Sequence, residues 1–165
     1  MTDHILVKLF EHNNWANHQI IQACAILSVA QLDAPPQSAT IGSIRDTLSH
    51  LVAAQQGYLL LLTLPIEARP HVSLAFSELE ESARGSGEAL VALAKDDPGR
   101  LLASRLQTRD GHLVEPWVVM LQAINHATEH REQICSMLTA LGVTPPDLDG
   151  WTYGEVTSAL VPISA

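Results

Sequence analysis

The sequence predicts an all-α protein, an antiparallel four-helix bundle with a small β-hairpin before the last long helix. Three observations carry that expectation. Apolar residues recur at three- and four-residue steps in four long stretches, the spacing of one helix face. Proline and glycine separate those stretches. One Asp-Gly pair stands between strand-compatible residues, the signal of a tight hairpin. The 165 residues suffice for one domain with a real core, and no linker, repeat or break in composition divides them, so residues 1–165 are expected to form a single domain.

The first helix is expected from about Asp3 to Leu27, with Leu6, Leu9, Ala16, Ile20, Ala23 and Leu27 as its apolar stripe and Asn13 inside it. "DAPPQSA" then forms a loop, because paired prolines cannot continue a helix. The second helix starts near Thr40 or Ser43, either of which can cap it, and runs to Thr63 ahead of Pro65. Its apolar face is Ile41, Ile44, Leu48, Leu51, Leu59 and Leu62. The third covers roughly Ser73 to Asp96, and its "RGSGE" centre should kink or loosen, since each interior glycine costs about 1 kcal/mol relative to alanine. "RLQTRDGHLVEPW" supplies the hairpin, and Pro116 opens a fourth helix that reaches Leu141 and stops at Gly142. "WTYGEVTSALV" should add a final helical turn packed on the body.

Composition narrows the function. Charged residues are only 16% and hydrophobic residues 47%, with a mean hydropathy of +0.13, as suits a globular chain. The net charge of −9 and the lack of a basic run count against nucleic-acid binding. The longest apolar run, "YLLLLTLPI", is far short of a membrane span, and the first residues show no secretory pattern, so a cytoplasmic location is expected by default. Cys24 and Cys135 both lie in apolar helical contexts and are expected as buried free thiols rather than a disulfide framework.

The histidines carry the chemistry. Of the eight, His4, His71 and His112 sit at element ends and are expected at the surface, and His12 and His18 are six apart, on different sides of one helix. His126 and His130 are four apart on the fourth helix, along the stripe Val119, Ala123, Ala127, Ile134, Met137, Leu141. Four residues return a side chain to within about 40° of its starting direction, and this spacing lets one helix offer two ligands to one ion. His50, beside Leu48 and Leu51 on the second helix, can face the same ion across the bundle. Three histidines with open positions describe a catalytic rather than a closed structural site. Histidines that only hydrogen-bond across the core fit the spacing as well. The glutamate of the zincin motif is missing from "HATEH", so metalloprotease chemistry does not follow. Glu129 and Arg131 are either partners of the pair or solvated charges, and Asn13 either bonds a ligand or organises the core.

"TLSHL" followed by "YLLLLT", "NHATEHREQI", "LGVTPPDLDGWTYG" and "NNWANHQI" together resemble the DinB-like (DinB/YfiT) family of bacterial metal-binding four-helix bundles, over nearly the whole chain and in the right order. The resemblance implies a divalent metal, zinc or nickel, held by His50, His126 and His130. It also implies a small-molecule substrate, frequent homodimers and, in some relatives, transfer of a low-molecular-weight thiol. Other relatives are isomerases or hydrolases, and a non-catalytic metal- or ligand-binding stress-response protein is the alternative. Many members read His-Arg-Gly-Gln where this chain has "HREQ"; Glu132, the departure, is expected to face outward and leave the ligands untouched.

Overall fold

The computed structural model describes residues 5–36, 41–95 and 105–163. Four long helices make the body: α1 (Ile5–Ala25), α3 (Ile44–Thr63), α4 (Leu79–Lys95) and α5 (Pro116–Ala140). Two short ones accompany them, α2 (Val29–Leu32) and α6 (Gly150–Val156), with strands β1 (Leu106–Gln107) and β2 (Leu113–Val114) just before α5. The expected bundle and hairpin are both present. Among the described residues, no helix is long and apolar enough to cross a membrane.

Two apolar clusters fix the helix directions. One joins Ile20 and Cys24 at the end of α1 to Leu48 at the start of α3, Leu79 at the start of α4 and Leu138 at the end of α5. The other joins Val7 and Phe10 to Leu62, Leu90 and Val119, at the opposite ends of the same helices. Helices α1 and α5 therefore run one way and α3 and α4 the other. Two neighbouring helices can run parallel only across a long connection. Residues 64–78, extended apart from short 3₁₀ turns at Ile66–Ala68 and Phe76–Glu78, provide that crossover along the outside of the bundle.

Between the clusters lies a buried polar layer of Asn13, Asn17, Gln55, Ser86 and Arg131. Asn17 donates to Gln55 at 2.7 Å, and Gln55 donates to the Ala83 carbonyl at 2.8 Å and to Ser86 at 2.7 Å. Arg131 reaches Asn13 at 2.8 Å and Asn17 at 2.6 Å. One hydrogen-bonded cross-section thus ties all four long helices together, next to the histidines of α5.

Several expectations are corrected. The buried face of α1 is Val7, Phe10, Asn13, Ala16, Asn17, Ile20, Ile21 and Cys24, with Leu9 43% exposed and Leu6, Ala23 and Leu27 only partly covered. Asparagines occupy two core positions there, so an apolar count alone misplaces the face. Ser43 caps α3 in a reciprocal box with Asp46, and Ile41 lies outside the helix, 49% exposed. Thr40, the other candidate cap, and Asp3, His4 and Asp96 lie outside the described residues. Helix α4 begins at Leu79 rather than Ser73.

Nor does "RGSGE" interrupt α4. Ser86 and Gly87 are buried, and a Cβ on Gly87 would stand 1.9 Å from Asn14 Oδ1. That glycine is where α1 fits against α4. The hairpin is as expected, with Leu106 opposite Val114 and Gln107 opposite Leu113. Its turn is closed by Thr108 N–H to the His112 carbonyl at 2.9 Å, with Gly111 at φ +91°, a left-handed conformation that favours glycine. The tail packs on α1 through His12, which lies 2.8 Å from the Leu148 carbonyl, with its ring against Trp15 and Tyr153.

Candidate metal centre

Helices α3 and α5 lie side by side and bring His50 to His126 and His130. His126 Nε2 is 3.0 Å from His50 Nε2 and 3.1 Å from His130 Nε2, and one ligand nitrogen from each ring lies within 4.8 Å of the others. His130 is buried, His126 partly so and His50 exposed, so the cluster opens to solvent on the α3 side. His4 aside, the other histidines lie elsewhere: His71 and His112 are exposed, and His12 and His18 are partly buried on α1.

Local structure aims the rings. His130 Nδ1 lies 2.8 Å from the side-chain oxygen of Gln133, one turn further along α5. A proton on Nδ1, donated to that oxygen, leaves a lone pair on Nε2. Tyr58 of α3 meets the His126 ring edge-on, with centroids 5.7 Å apart. Burial raises the Tyr58 hydroxyl pKa, and a hydrogen bond with Gln122 opposes the rise.

The donor set fits a cation. An imidazole nitrogen has either one proton or one lone pair in the ring plane. His126 Nε2 can therefore satisfy one of its two close neighbours by hydrogen bonding, but not both, whereas a shared cation takes the lone pairs of all three. Burial, then the neighbouring rings of His130 and His50, push the His126 pKa down to about 4, with Glu129 opposing. Burial followed by His130 also lowers His50. Both rings are therefore neutral at pH 7, the form that ligates metal.

The amino-acid sequence matches the DinB family over residues 1–161. The chain belongs to the DinB family. Its fold resembles a crystal structure from Exiguobacterium sibiricum 255-15 described as that of a DinB family member, with a TM-score of 0.67 and 19% identity, covering 90% of this chain and 99% of that one. At that identity the likeness speaks for the DinB fold alone. No curated protein matches the chain.

The remaining candidates separate cleanly within this DinB bundle. Asn13 is buried and accepts from Arg131, so it organises the core. Arg131 is not a solvated charge: it is 3% exposed, and burial lowers its pKa to about 10, leaving it cationic at neutral pH. Glu129 and Glu132 are exposed, as expected for Glu132. Cys24 is buried and Cys135 partly so, with thiols pushed up by burial to about 12 and 11, and neither joins the cluster. Gln133 and Tyr58 are additions that the sequence reading lacked. The three-residue step from His130 to Gln133 was an available signal; Tyr58 was hidden inside an apolar run.

Proposed function

We propose that this DinB protein is a metal-dependent enzyme in which His50, His126 and His130 hold one divalent cation, zinc or nickel. Its reaction is transfer of a low-molecular-weight thiol to an electrophilic small molecule. The observation that carries this reading is the convergence of three imidazole nitrogens on one point at the solvent-facing side of a finished bundle. A cation bound there would stabilise the deprotonated form of a thiol and so supply thiolate near neutral pH.

The chain's own contribution is orientation and access. Gln133 holds the tautomer of His130, Tyr58 braces His126, and exposed His50 leaves the approach open. In the transfer a sulfur–carbon bond forms, the leaving group departs with its bonding pair, and the thiol proton passes to solvent. Hydrolysis would use the same ligands but requires a base near the attacking water. Among the described residues no carboxylate is hydrogen-bonded to any of the three rings, and Glu129, whose charge acts on His126, is the candidate base for that second reading.

The test is thiol consumption with monobromobimane as electrophile, comparing zinc- or nickel-loaded wild type with the chelated protein and with His126→Ala. The proposal expects a rate above buffer that needs both the metal and His126. A rate equal to buffer for every loaded sample, across several thiols and electrophiles, would count against an enzyme. A fold that collapses on chelation would instead mark the ion as structural.

A further inference from the structure

A cleft of about 320 Å³ lies between the outer face of α3, the crossover at Arg69–Val72 and the hairpin tip at Thr108 and Arg109. Its floor is Ala53, Gly57 and Leu61. Gly57 is seven residues beyond His50, which on a helix is within about 20° of the same direction and about 10 Å along the axis. The cleft therefore shares the face of α3 that carries His50.

Its lining is cationic. In a chain of net charge −9, two arginines line this cleft and no carboxylate does. Neither guanidinium forms an ion pair among the described residues. Both are instead tethered to backbone carbonyls. Arg69 donates to Leu64 at 2.9 Å and to Gln107 at 2.6 Å, and Arg109 donates to the carbonyls of Arg69 at 2.6 Å and Pro70 at 3.1 Å. A guanidinium has five N–H donors, so each keeps several free. Neutral tethers hold the two cations in place, and the Asp110 carboxylate beside them at the hairpin tip is engaged by Thr108 and His112 rather than by either guanidinium.

We propose that this cleft binds the anionic end of a small ligand, a carboxylate or phosphate group, whose apolar middle lies over Ala53 and Gly57 and whose other end reaches the histidine centre. The inference rests on the metal-site reading only for that far end. The anion subsite stands on Arg69, Arg109 and the cleft alone. It assigns the thiol or its acceptor to acid-bearing molecules.

Amide NMR titration of full-length, metal-free protein with succinate and with inorganic phosphate tests the subsite. The expected result is saturable shifts at Gly57, Thr108 and Arg109, with the tighter of the two probes naming the anion. Binding should weaken at least tenfold in Arg109→Gln. Gly57→Leu should abolish it with the fold intact, because nothing lies within 4 Å of a Cβ at Gly57. Absence of shifts with both probes, or affinity unchanged in both variants, would overturn the proposal. The reach to the histidines is read separately: 8-mercaptooctanoate, long enough when extended to span from the arginines to the histidines, should bind at least tenfold tighter than octanoate once zinc is loaded, and equally without it. No such gain in protein shown to contain zinc would overturn the bridging arrangement. Zinc that fails to load would instead count against the metal reading, leaving the succinate result to decide the subsite.

Discussion

His130 Nδ1 lies 2.8 Å from the side-chain oxygen of Gln133, so a residue that never reaches the cluster's centre decides which nitrogen of a buried histidine is free to ligate. Outer partners of this kind typically change metal affinity 10–100-fold when removed. Gln133→Leu is therefore expected to weaken zinc binding by about that factor in a chelator competition assay. Gln133→Glu, which keeps an acceptor in place, should retain most of it. Equal affinity in wild type and Gln133→Leu would remove Gln133 from the account.

Acid should destabilise the metal-free protein through His126. Its pKa falls from 6.5 to about 4 on folding, so between those values the unfolded chain binds more protons than the folded one. That contribution is fully present above about pH 6.5 and is lost as pH falls toward about 4; His50, lowered in the same direction, adds to it. Urea unfolding of chelated protein at a series of pH values should show this slope, and His126→Asn should flatten it.

The buried cation of the core makes a separate prediction. Arg131 stands among neutral acceptors, the side-chain oxygens of Asn13, Asn17 and Thr128, with no buried carboxylate among the described residues. Arg131→Met would leave the two asparagine oxygens bare, at about 1–3 kcal/mol for each unsatisfied group. A loss of about 2–4 kcal/mol in denaturant unfolding, with an unchanged m-value, is expected. A variant as stable as wild type would mean that the polar layer contributes no net stability.

The two glycines of α4 should respond oppositely. Gly85 is exposed with open space at its Cβ, so Gly85→Ala should stabilise by about 1 kcal/mol, the helix-propensity difference. At Gly87 the new Cβ would overlap Asn14 Oδ1 at 1.9 Å and Cγ at 2.5 Å. Overpacking of this kind costs about 1–3 kcal/mol, so Gly87→Ala should lower the melting temperature while Gly85→Ala raises it.

These positions also show what the sequence could convey. Helix α5 was legible because its stripe is strongly periodic, and with it the His126–His130 pair. The Asp-Gly hairpin was legible because turn chemistry is local. The face of α1 was not, because Asn13 and Asn17 take core positions that an apolar count assigns to solvent. The burial of Arg131 was not legible either, since two of its partners, Asn13 and Asn17, come from a helix more than a hundred residues away. The glycines of α4 read as weakness from propensity alone, until Asn14 fills the space over Gly87. Nor does a linear sequence say that residues 64–78 cross the length of the bundle, which sets α3 parallel to α4 and places Arg69 over the face that carries His50.

The central claim, one cation shared by His50, His126 and His130, is tested most directly by metal content. Plasma mass spectrometry on untagged wild type, His50→Ala and His126→Ala, each confirmed as folded, measures it. The account predicts about one zinc or nickel ion per chain in wild type and loss of that ion in both variants. Folded wild type that holds no stoichiometric metal, even after incubation with either ion, would contradict it.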